Sequence, residues 1–164
     1  MIVAYLAIWA LSFLVYIVFS GSVSGYDLVT GALASVLVSA LTTPLVSRHG
    51  GLKGVRGFLK LIQFGIRYAF IDEVRAHADL MRRIYHPLLP MRPAFVKVPV
   101  KEAKSALGIT LIANSITNTP GTVTVDVGDG WLLVHWIDAR VVEPEEVRER
   151  VSKVFESYAR EVFG

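Results

Sequence analysis

Residues 2–19, IVAYLAIWALSFLVYIVF, carry no charge and almost no polar group. A helix of this length reaches about 27 Å at 1.5 Å per residue, close to the thickness of a bilayer's hydrocarbon core. GSVSGYD follows, and Gly21, Gly25 and the small polar residues between them break the helix. Leu28–Val46 is then a second uncharged stretch, with Pro44 in its last turn. Two such runs joined by a short polar turn read as a transmembrane hairpin.

Working outward from the hairpin, charge is distributed unevenly. Between Met1 and Ser47 the only charged residue is Asp27, and every Lys and Arg lies at or beyond Arg48. Residues 48–104 hold twelve Lys/Arg against four Asp/Glu, whereas residues 105–164 hold five against nine. A basic middle directly after apolar helices points to lipid headgroups before nucleic acid. The chain has no cysteine, which excludes disulfides, thiolate metal sites, iron–sulfur clusters and cysteine nucleophiles.

Ser20–Gly25 offers small residues where a signal peptidase could cut, but a signal peptide needs a positively charged start, and none is present. The expectation is two retained spans. Arg48, Lys53, Arg56 and Lys60 crowd the segment after the second span, while the loop between the spans has no Lys or Arg. The positive-inside rule then puts both the N-terminus and everything after Val46 in the cytoplasm.

Val55–Tyr85 has helical periodicity, with Val55, Leu59, Ile62, Ile66, Phe70 and Val74 among its apolar positions. Leu61–Ile71 is apolar enough for a third span to be weighed, but Lys60, Arg67, Asp72 and Glu73 interrupt it. A mid-span Arg costs about 2.5–3.5 kcal/mol on insertion scales, so an interfacial helix is the preferred reading. HPLLPMRP, with Pro87, Pro90 and Pro93, is a linker.

The remainder reads as a small α+β domain in β-α-β-β-α order. Phe95–Val100 is a strand and Lys104–Thr117 a helix. Val123, Val125 and Val127 alternate with Thr122, Thr124 and Asp126 at the period of a half-buried strand, and Gly128-Asp129-Gly130 turns into a strand over Trp131–Ile137. Glu143–Phe163 is an amphipathic helix with Pro144 near its start and acids in its first turn. The expected organisation is residues 1–47 as two membrane helices, 48–93 as basic interfacial helix and linker, and 94–164 as a cytoplasmic α+β domain.

Catalytic chemistry finds little support. His49, His77, His86 and His135 show no metal-ligand spacing, and His135 sits in an apolar strand, where a structural role is expected. Asp126, Asp129 and Asp138 could be imagined as a carboxylate cluster, but Asp129 belongs to a turn and Asp126 points outward from its strand. The spans hold no titratable group away from their ends, so this chain alone cannot conduct ions through the bilayer. No catalytic residue, cofactor or metal site is assigned.

Gly31, Ser35, Ser39 and Thr43 recur every fourth residue on one face of the second span, a pattern that permits close helix–helix approach. The most distinctive run is Leu111–Asp126, LIANSITNTPGTVTVD, a helix end, a Pro-Gly turn and an edge strand, in which Asn114, Ser115, Thr117 and Thr119 are free to cap backbone groups.

That run, followed by LLVHWID, resembles the E subunit family of Mrp-type multisubunit Na+/H+ antiporters, a family also present in archaeal respiratory complexes that include energy-converting hydrogenases. The likeness spans essentially the whole chain. Asn118 departs from it, since an apolar residue, usually Leu, is expected before TPGT. The resemblance implies a non-catalytic accessory subunit whose partners are other membrane subunits of an antiporter or hydrogenase-type complex. It implies no chemical role for Asn114, Ser115, Thr117, Pro120, Gly121, Thr122 or Asp126, which stand as docking candidates. The alternative is a membrane-tethered module binding lipid or nucleic acid through Arg48–Lys104, a stretch that follows directly on the lipid-embedded helices.

Overall fold

The computed structural model describes residues 2–164. Helices α1 (Ile2–Ser20) and α2 (Gly25–Arg48) form the expected hairpin, and both are long and apolar enough to cross a membrane. Their leucines and valines are largely exposed, Leu14 and Leu37 among them, so neither is the core helix of a soluble domain. Asp27 lies in the first turn of α2, where the Ser22 and Ser24 hydroxyls each donate to its carboxylate at 2.6 Å. The hairpin's one acidic residue is therefore held at the loop end.

The buried residues of α2 are Gly31, Ser35, Ser39 and Thr43. At Gly31 a Cβ would lie 2.5 Å from the Tyr16 ring, so that ring packs directly on the α2 backbone. The Trp9 indole donates to the Ala32 carbonyl at 3.3 Å, and Tyr16 and Thr30 share a hydrogen bond at 2.9 Å. The immediate neighbour of this small-residue face is thus α1 of the same chain.

The segment expected to be one helix over 55–85 is α3 (Gly54–Arg67) and α4 (Glu73–Ile84), joined by a π-helical turn at Tyr68–Asp72. The extra residue of such a turn rotates the following helix face. Phe64 is buried in the core of the C-terminal domain, with Leu61 and Tyr68 packed beside it. Val55, Leu59, Ile62 and Ile66, the positions that carried the periodicity, remain exposed on the other side. One face of α3 serves the domain, and the opposite apolar stripe is left uncovered.

Strands β1 (Ala94–Pro99), β2 (Thr122–Gly128) and β3 (Trp131–Trp136) form an antiparallel sheet in the order β1-β3-β2. Helices α5 (Ala106–Asn118), α6 (Pro144–Val151) and α7 (Lys153–Phe163) lie on one side of it. The core joins Val98, Leu132 and Val134 to Ile112, Ile116, Val147 and Ala159, all 0 % exposed. The β-α-β-β-α order holds, but the terminal helix is two helices: it breaks at Ser152, whose φ of −121° leaves the helical range. Bending there brings Glu156 back over Arg148.

Strand β2 reverses the usual sense of its alternation. Thr122 and Thr124 are half-buried against α5, while Val123, Val125 and Val127 are exposed. A bulge between Thr124 and Asp126 shifts the register on β3, and Asp126 is exposed with its Oδ1 accepting from the Val127 amide at 2.8 Å.

Candidate functional site

The singular Leu111–Asp126 run is where helix α5 ends and the sheet begins, and its hydroxyls explain how. The last four carbonyls of a helix, residues 115–118 here, lack intrahelical partners, and carbonyls further back can accept a second bond. Ser115 Oγ donates back to the Leu111 carbonyl at 2.7 Å, and Thr119 Oγ1 to that of Ser115 at 2.7 Å. Thr122 Oγ1 donates to the Ile116 carbonyl at 2.7 Å, and Thr124 Oγ1 to that of Ala113 at 3.1 Å. In return Thr117 Oγ1 accepts from the Thr124 amide at 3.1 Å. Threonines face inward on β2 because α5 presents carbonyl groups to them.

The turn closes through the Thr122 amide, which donates to the Thr119 carbonyl at 3.2 Å. Gly121 has φ +96°, a conformation that favours glycine, and its carbonyl accepts from the Ile137 amide at 2.9 Å. Pro120 sits beside it, half-buried. Asn114 is exposed on α5.

Tyr68, which the sequence did not single out, and Asp138, one of its three candidate acids, complete the surroundings. Tyr68, on the π-helical turn, donates its hydroxyl to the Glu73 carboxylate and lies 3.2 Å from the Ser115 carbonyl. Burial, then the hydrogen bond to Glu73, push the Tyr68 phenol up to about 12. At the other end of the turn, buried Asp138 accepts from Arg83 of α4 and from Arg140, the latter at 2.7 Å. Burial works to raise the Asp138 carboxyl, but the hydrogen bond and charge of Arg83, joined by Arg140, outweigh it and hold it below the ordinary carboxylate range. Tyr68 therefore stays protonated and Asp138 ionised near neutral pH. The contact of Tyr68 with Ser115 and the pairing of Asp138 with Arg83 span 47 and 55 residues, so no local pattern in the sequence shows them.

His135 and Asp126 do not join this constellation. His135 is half-buried on β3 with its ring 5.1 Å from that of Phe95. Among the described residues no group of three or more His, Asp and Glu side chains could hold a metal ion.

Residues 9–162 match the family model described as Na+/H+ ion antiporter subunit, MNHE. The chain belongs to this family. Among curated relatives, the E subunit of the Na(+)/H(+) antiporter of Alkalihalophilus pseudofirmus is 23% identical over 150 residues, covering 90% of each chain. The E1 subunit of the Na(+)/H(+) antiporter of Staphylococcus haemolyticus is 31% identical over 105 residues, 63% of this chain and 64% of that one. Among solved structures, a chain of the membrane-bound sulfane sulfur reductase, an archaeal respiratory membrane complex, superposes with a TM-score of 0.74 at 27% identity. That match covers 96% of this chain and 98% of the other. The hairpin and the α+β domain are thus the fold of a family of subunits from multisubunit membrane complexes.

Proposed function

We propose that this MNHE-family chain is a non-catalytic accessory subunit of a cation/proton antiporter module, free-standing or built into a larger respiratory complex. Its hairpin packs among other membrane subunits, and its α+β domain docks on the cytoplasmic side. The observation that carries the reading is how the site is used: Ser115, Thr117, Thr119, Thr122 and Thr124 all spend their hydroxyls on backbone groups of this chain. A proton relay needs groups that titrate near working pH, and Tyr68 and Asp138 are both held away from it.

Asp126→Asn and His135→Gln should accordingly leave cation transport per assembled complex close to wild type. Transport in membrane vesicles, normalised to complex on a native gel, measures this. A large fall in specific transport with assembly unchanged would give the domain a chemical role.

The same reading places both termini in the cytoplasm, with α3 lying along the membrane surface. Support comes from Lys60, which pairs with Glu161 of α7 at 3.0 Å, and from Phe64, which is buried in the domain core. Turning α3 into a third span would cost both contacts. Single cysteines at Ser24 and Ser157 test the topology in a chain with no native thiol. An impermeant maleimide added to intact cells should label Ser24→Cys only; labelling of Ser157→Cys would refute the arrangement.

A further inference from the structure

A cleft lies where the hairpin meets the domain, and it is apolar throughout. Its volume is about 550 Å³, and all twelve lining residues are Ala, Val, Leu, Ile or Phe. Ile8, Leu11 and Leu14 of α1 form one wall, Phe58 of α3 another, and Leu107 and Phe163 of the α+β domain close it. That volume is within the range of ligand pockets, about 300–1,000 Å³, yet the polar groups that orient a water-soluble ligand are missing from the lining.

Two observations identify the occupant. One wall belongs to a helix long and apolar enough to span a bilayer, so a lipid lying alongside that helix can reach the cleft. The loop and helix that supply Leu52 and Phe58 also carry Lys53 and Arg56, with Arg48 just before them. All three cations are exposed and make no ion pair among the described residues, unlike neighbouring Lys60. An apolar slot with free cations on the chain segments that form its wall matches a lipid with a hydrocarbon chain and an anionic headgroup.

We propose that this cleft holds the hydrocarbon chain of an anionic membrane lipid, with Arg48, Lys53 and Arg56 facing its phosphate. The lipid fills the gap between the spans and the domain and fixes the angle between them. The inference rests on the hairpin spanning a bilayer and not on the accessory role, so failure of either can be told from failure of the other.

The test uses the full chain in vesicles of phosphatidylcholine alone or mixed with phosphatidylglycerol, with chain-brominated lipid as quencher. A fluorophore on Leu107→Cys should lose most of its emission, while the same label on Thr110→Cys, exposed on the same helix, should lose little. Ala7→Phe, which narrows the cleft, should restore emission at Leu107. Each of Lys53→Gln and Arg56→Gln should weaken the preference for phosphatidylglycerol about fivefold. Equal quenching at Leu107 and Thr110, or quenching at Leu107 that survives Ala7→Phe, would overturn the lipid site. A phosphatidylglycerol preference unchanged in both variants would overturn the headgroup assignment.

Discussion

Arg148→Met is expected to cost the α+β domain about 3–5 kcal/mol, a large part of the roughly 5–15 kcal/mol that holds a domain folded. Arg148 ties three separated segments together. Its guanidinium donates to Glu156 at 3.0 Å and to Glu102 at 2.8 Å, linking α6 to α7 and to the loop before α5. Glu156 is 0 % exposed and also accepts from the Ser152 hydroxyl at 2.8 Å and from the Lys101 and Glu102 amides at 3.0 and 3.2 Å. Met fills a similar volume but leaves that carboxylate buried without a countercharge. Denaturant unfolding of the purified protein, followed by the fluorescence of Trp131 and Trp136, measures the loss. Unfolding at the wild-type midpoint would mean that water replaces the arginine.

The same cluster gives the domain an acid limit. Burial works to raise Glu156, but Arg148, Ser152 and the two amides outweigh it, so its folded pKa lies below the ordinary value. A depressed carboxylate contributes its stability in full above the unfolded pKa, about 4.3, and loses it as pH falls through the folded value. Wild-type stability should drop through this window, and Glu156→Gln, already weakened at neutral pH, should lack this component of the drop.

Gly121→Val is expected to remove most of the assembled complex. A Cβ at this position would stand 2.7 Å from Ile137 Cγ2, and the φ of +96° is one that a β-branched residue does not tolerate. Backbone strain of about 1–3 kcal/mol adds to overpacking of about 1–3 kcal/mol. Relief requires moving the turn, which breaks the Ile137 to Gly121 hydrogen bond and pulls Thr122 from the end of α5. Native-gel yield and transport should fall together, so that transport per assembled complex changes little. Gly25→Ala is the control, since its Cβ would meet nothing within 4 Å. Full assembly with lost transport would instead place the turn in the transport cycle.

The sequence by itself determined the hairpin, the order of elements in the domain and the family. Each is a local property: run length without charge, the period of apolar residues, and a contiguous motif around a Pro-Gly turn that departs from the family pattern at Asn118. Only the tertiary structure decided which faces are used. It set α1 against Gly31, turned the Phe64 side of α3 inward while leaving the Val55–Ile66 stripe free, and bent the last helix at Ser152. It also directed the valines of β2 outward, because the carbonyls at the end of α5 offer hydrogen bonds that threonine can take and valine cannot. Arg148 with Glu102, and Arg83 with Asp138, are 46 and 55 residues apart. Side-chain periodicity reports neighbours within one helix or strand, whereas pairings across such separations exist only once the elements have packed.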